Sequence, residues 1–220
     1  EELRTVEGRT QNAANGDTIR VPAGIHTLTR SLTIDKSLTI IGEGMDSTIL
    51  KGDAAEFLLR FSGNGTLTIQ DLTLSREAGY GDIIVCSHGT LSLSHCKAEG
   101  AREHDNRGGV GIRFTGGSQG TIRESVFNNN QFVVIAMSDT ATVTAENNVL
   151  TDNRYGFACF GTSAGTIRNN TCRGNKHGIY IDQEAHPTCE GNTCEGNTDS
   201  GIAYIASSSG KARKNTYIGR

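Results

Sequence analysis

The sequence repeats itself every 22 or 23 residues, and three independent registers carry the period. Short apolar-x-apolar triplets, Ile112-Arg-Phe114, Val134-Ile-Ala136, Phe157-Ala-Cys159, Ile179-Tyr-Ile181 and Ile202-Ala-Tyr204, recur at steps of 22, 23, 22 and 23. Ser125, Asn148, Asn170, Asn192 and Asn215 step by 23, 22, 22 and 23, and Asn130, Asn153, Asn175 and Asn197 keep the same spacing. Self-similarity at a fixed period of this size is the mark of stacked repeats, each of which buries its apolar face against its neighbours.

Alternating apolar residues make strands whose side chains point alternately in and out, and Asn tolerates the left-handed backbone of a tight turn. Stacked Asn side chains can also hydrogen-bond from one coil to the next. Helical arrays are excluded, because no 3.6-residue apolar stripe survives the Gly and Asn punctuation, and the Leu pattern of leucine-rich repeats is missing. The first half is less regular but compatible, with Ser37-Leu-Thr-Ile, Thr66-Leu-Thr-Ile and Thr90-Leu-Ser-Leu reading as further strands. The expected fold is therefore all-β: one domain over 1–220, a single-stranded right-handed parallel β-helix (solenoid) of about eight coils, each about 4.8 Å deep. Residues 3–14 are expected to form a short N-terminal helix capping the first open coil. Thr-x-Thr pairs such as Thr27-Leu-Thr29 and Thr66-Leu-Thr68 are not expected to continue in register through later coils.

Composition agrees: 28 Gly, two Pro and no Trp in 220 residues suit short strands between tight turns. A net charge of −3 gives no drive toward phosphate, so nucleic acid is not an expected partner. No window approaches the roughly 18 consecutive apolar residues of a membrane span, so the chain reads as soluble and not membrane-bound; an extracytoplasmic location is compatible with it. The start at Glu1 and the stop one residue past Ile218-Gly219 point to a piece of a longer polypeptide. The six cysteines, Cys86, Cys96, Cys159, Cys172, Cys189 and Cys194, fall largely at interior strand positions and read as small buried hydrophobes. Cys172 and Cys194, 22 apart, belong on neighbouring coils, and a disulfide between them stays open.

The run Gly16-Asp-Thr-Ile-Arg-Val-Pro-Ala-Gly24, followed by Ser37-Leu-Thr-Ile-Ile-Gly-Glu-Gly44 and Thr48-Ile-Leu50, resembles the opening coils of pectin-lyase-like right-handed β-helix proteins. The repeats over 111–220 are similar to the parallel β-helix repeat shared across that superfamily. The resemblance implies the fold but no single activity, since the superfamily holds lyases, hydrolases, epimerases, esterases, tailspikes and interaction modules. The neighbouring Asp residues of polygalacturonase-like hydrolases and the Arg-x-Pro-x-x-Arg signature of pectate-lyase-like enzymes have no match in this chain.

In such proteins sites usually lie outside the first strand of each coil. By the triplet alignment the outward residues are Arg113, Ile135, Ala158, Tyr180 and Ala203, followed by Thr115, Met137, Phe160, Asp182 and Ile205. Ile135, Met137, Phe160, Tyr180 and Ile205 would then line one apolar strip, a surface for a partner, a ligand or another part of the parent chain. The excursion Glu99–Arg107 lengthens its coil and concentrates His104, Asp105 and Arg107 near Arg113. His104 as general base, Arg113 or Arg107 facing a carboxylate and Tyr180 as proton donor, with Asp182 beside it, would suit β-elimination or C5 epimerisation of a uronate polymer. The bland account of that excursion is a solvated loop of weakly paired charges. Asp182, Glu184 and His186 match no strong metal spacing, so neither metal nor cofactor is expected. His88, His95 and His177 are assigned no role. Two readings follow: a non-catalytic module binding a carbohydrate polymer or a protein along its lateral surface, with Arg107 and the apolar strip in contact, or a polysaccharide lyase or epimerase built on His104, Arg113, Tyr180 and Asp182.

Overall fold

A computed structural model describes residues 4–219. The strands stack into three parallel sheets, and each coil contributes one strand to each sheet in turn. The first sheet runs from Thr18–Arg20 to Lys211–Arg213, the second from Gly24–Leu28 to Thr216–Ile218, and each has nine strands; the third, from Leu32–Ile34 to Ser200–Tyr204, has eight. These nine turns agree with the expected solenoid. The helix Val6–Asn12 covers the first coil. Its Val6 joins the core and its Glu7 carboxylate accepts the Thr29 N–H at 2.6 Å, so the cap is tied by both packing and a charge-assisted hydrogen bond. Of the expected cap 3–14, residue 3 lies outside the described residues.

Inward residues form one continuous apolar column. Where the first sheet carries Gly120, the Phe114 ring takes the space: a Cβ on Gly120 would lie 2.4 Å from that ring. The Asn columns act as expected. The Oδ1 atoms of Asn148, Asn170, Asn192 and Asn215 each accept the backbone N–H of the preceding column member at 3.0 Å, while the Nδ2 groups donate to strand carbonyls one coil back. The second column, Asn130, Asn153, Asn175 and Asn197, repeats the pattern. Buried turns need such internal partners because water cannot reach them.

One expectation is corrected and a second is qualified. Ile112, Ile135, Phe157, Ile179 and Ile202 are successive register partners in one column, and Arg113, Ala136, Ala158, Tyr180 and Ala203 in the next. The Val134 triplet was therefore one residue out of register, and Ile135 and Met137 point into the core with no exposed surface. A one-residue slip exchanges the two faces of a strand, and Val133–Met137, apolar throughout, accommodates either register. Secondly, one member of the Thr66-Leu-Thr68 pair does continue: Thr39, Thr68, Ser92, Thr121, Thr144, Thr166 and Thr188 are successive register partners on the outside of the first sheet, whereas the Thr66 column is interrupted by Gln119 and Ala164, so the paired pattern itself does not persist.

All six cysteines are buried and free, so their reading as small apolar residues holds. No helix among the described residues is long and apolar enough to cross a membrane.

Candidate functional site

The outer face of the third sheet concentrates aromatic and charged side chains because its strands depart from simple alternation. Gly156 and Gly178 lie where a Cβ would meet the inward thiols of Cys172 and Cys194 at 3.3 and 3.2 Å, and the next residues, Phe157 and Ile179, are also in the core. Two consecutive inward positions leave residues three apart, Tyr155 and Ala158 or His177 and Tyr180, on the outer side. Three outward columns result. One holds Val110, Val133, Tyr155, His177 and Ser200, and the second holds Arg113, Ala136, Ala158, Tyr180 and Ala203. The third follows with Thr115, Ser138, Phe160, Asp182 and Ile205.

Toward the C-terminal coils these columns build an aromatic cluster. Tyr155 stacks on His177 at 5.1 Å between centroids, Tyr180 stands edge-on to Tyr155 at 5.3 Å, and Phe160 and Phe132 flank them. Arg154 lies 5.5 and 5.6 Å above the Phe132 and Tyr155 rings. The Tyr180 hydroxyl donates to Asp182 Oδ2 at 3.3 Å, and His177 Nδ1 shares a 2.7 Å hydrogen bond with Ser200 Oγ. Asp199 Oδ2 is 3.7 Å from His177 Nε2. Burial depresses the His177 pKa, with Lys176 and Arg154 adding to it and Asp199 opposing, so the imidazole is neutral near pH 7. Burial and the Asp182 carboxylate raise the Tyr180 phenol, which stays protonated.

Nearer the N-terminal end lies a hollow of about 330 Å³ lined by Phe57, Arg60, Tyr80, Asp82, Arg107 and Arg113. Asp82 fixes Arg113 through two contacts, to Nε at 2.7 Å and Nη2 at 3.3 Å, and the Arg60 guanidinium stacks 4.3 Å above the Phe57 ring. The excursion is a short antiparallel hairpin, Glu103–His104 against Arg107–Gly108. It delivers Arg107 to the hollow, but His104, 68 % exposed at the side chain, sits over Tyr80 at 5.7 Å and lines a separate recess with Arg102 and Gln131.

The four residues set out as one acid–base group thus fall in three places. Tyr180 and Asp182 touch each other; Arg113 lies three rungs away, about 14 Å at the usual strand spacing; His104 lies on the hairpin. Phe160 joins the Tyr180 cluster, and Ile205, 41 % exposed, is on the rung after Asp182. His177 was missed because inspection of single residues gave it no partner. Its 22-residue offset from Tyr155 was the signal that could have placed it.

Several solved structures share this shape. A PL6 alginate lyase complexed with a trisaccharide superposes with a TM-score of 0.67 at 14 % identity, over 98 % of this chain and 57 % of that one. The A-module of the Azotobacter vinelandii mannuronan C-5 epimerase AlgE4 gives 0.60 at 17 % identity over 96 % and 70 %, and the Yersinia enterocolitica pectin methylesterase 0.56 at 11 % over 98 % and 94 %. Another, the Agl-KA catalytic domain, is spanned over only 40 % of its length, at a TM-score of 0.59 and 17 % identity. At such identities the likeness is one of fold. No curated protein sequence matches the chain. The family described as right handed beta helix region matches residues 59–220, and the chain belongs to it.

Proposed function

We propose that this β-helix is a binding module that holds a carbohydrate polymer along the outer face of its third sheet. The observation that carries the reading is the cluster of Tyr155, His177 and Tyr180, partly exposed rings that meet within 5.1 to 5.4 Å on one lateral face. Aromatic faces pack against the C–H faces of sugars, while Asp182, Ser200 and Arg154 at their edges offer hydrogen-bonding groups to hydroxyls. Stacked rungs extend that surface lengthwise, which suits a polymer better than a small molecule. Gel-retardation in a panel of neutral and uronate polysaccharides tests it: retention that weakens in Tyr155→Ala and Tyr180→Ala supports binding on this face, and migration unchanged in every gel refutes it.

A second reading, a lyase or C5-epimerase of an acidic polysaccharide, is favoured by one specific feature. A neutral His177 imidazole and a protonated Tyr180 phenol share the face, with ring centroids 5.4 Å apart. In elimination, His177 would take the C5 proton, the C4–O bond would break as the C4=C5 bond forms, and Tyr180 would protonate the departing oxygen. Formation of unsaturated uronate by the wild type, abolished in His177→Ala, would establish this reading; retention without turnover leaves the binding module.

A further inference from the structure

Beside the third sheet, at the turn leading into it, a groove of about 690 Å³ is lined by residues that include Arg76, Arg102, Gln131 and Arg154. Arg76 is only 2 % exposed, yet its Nε and Nη1 have no hydrogen-bond partner, and its one side-chain bond is Nη2 to the Asp82 carbonyl at 3.2 Å. The chain makes room for this guanidinium: a Cβ on Gly81 would lie 2.7 Å from Nη2. A buried guanidinium with unpaired nitrogens is costly, and its charge beneath the groove lining makes the potential there more positive. The carboxylates of Asp53 and Asp82 act on it at longer range, and burial outweighs them in lowering its pKa.

The remaining lining is suited to an anion. Glu99 is paired with Lys97 at 3.0 Å, and Asp152 is the other acidic residue in the groove. Gln131 uses its Oε1 to accept the Glu103 N–H at 2.8 Å, which leaves its amide hydrogens for a ligand. We propose that this groove is an oxyanion site, in which Arg102 and Arg154 bind a carboxylate, sulfate or phosphate group and the buried charge of Arg76 adds to the field that holds it. Guanidinium forks match the geometry of such groups and remain charged at any working pH. The site is distinct from the aromatic cluster, although Arg154 reaches both, and it does not rest on the polymer reading.

Titration calorimetry with sodium sulfate and sodium phosphate at constant ionic strength tests the proposal, because sulfate also stabilises proteins nonspecifically by exclusion from their surface. Saturable one-to-one heat is expected, with affinity at least about tenfold weaker in Arg102→Ala and Arg154→Ala. Arg123→Ala, on the first sheet, is expected to bind as the wild type does. Arg76→Met, which removes the buried charge, is expected to fold and to bind more weakly; Arg76→Lys, which keeps the charge, is expected to bind more tightly than Arg76→Met. Competition by a uronate or sulfated oligosaccharide would identify the group as a sugar substituent, and binding without competition would identify a free ion. Absence of saturable heat, or equal affinity in wild type, Arg102→Ala and Arg154→Ala, would overturn the proposal.

Discussion

Asp82 and Arg113 meet across adjacent rungs of the third sheet, the carboxylate accepting from Arg113 Nε at 2.7 Å and Nη2 at 3.3 Å and from the Val110 N–H at 3.1 Å. The Asp82 side chain is 7 % exposed and Arg113 is 35 % exposed, so the carboxylate has few alternatives to these partners. Asp82→Ala leaves a buried N–H unsatisfied as well as an unpaired guanidinium, and is expected to cost about 2–4 kcal/mol. Arg113→Ala is expected to cost less, since water reaches the Arg side of the pair. Urea denaturation of the two variants checks the order.

The Asn columns give a second prediction. Asn170 donates to the Ala145 carbonyl and accepts from the Asn148 N–H, both at 3.0 Å, with no exposed surface. Asn170→Asp keeps the acceptor but loses the donor and places a charge in the interior. It is expected to destabilise more than Asn170→Ala, itself expected to cost about 2–3 kcal/mol. Thermal unfolding of both variants at pH 7 measures the difference.

The corrected register predicts opposite outcomes for neighbours. Met137→Asp buries an unpaired carboxylate in the core and is expected to prevent folding, whereas Ala136→Ser, on the outer side, is expected to change stability by under about 1 kcal/mol. Circular dichroism of purified variants distinguishes this register from the slipped one.

How far the sequence carried the reading follows from which rules each region obeys. The Asn columns were legible because their hydrogen bonds demand Asn at a fixed offset, so side-chain identity itself repeats. The outward face was only partly legible. Two consecutive inward residues, such as Gly178 and Ile179, break the period of two, and counting alternate positions lost His177 while bringing in Ile135 and Met137. Arg60 and Asp82 were missed because they lie in early coils whose spacing is irregular, and their meeting with Arg107 and Arg113 depends on a hairpin that no periodicity describes.

The buried thiols give a pH dependence. Burial pushes Cys96 and Cys189 up to about 12, so the folded state prefers the protonated thiol. A group whose pKa is raised on folding contributes fully below its unfolded value, about 8.5 for cysteine, and the contribution is lost as pH climbs toward the folded value. Stability is therefore expected to fall between about pH 8.5 and 12, and the fall to be shallower in Cys96→Ala. Native protein is expected to react slowly with a thiol reagent and all six thiols to react at once in denaturant.

The most direct test of the central claim is the binding of polysaccharides in affinity gels by wild type, Tyr180→Ala and Thr144→Ala, the last altering the first sheet. Retardation by at least one polysaccharide, reduced in Tyr180→Ala and unchanged in Thr144→Ala, is the predicted result. Retardation that survives Tyr180→Ala but is lost in Thr144→Ala, or no retardation in any gel, would contradict the assignment of the third sheet as the carbohydrate-binding face.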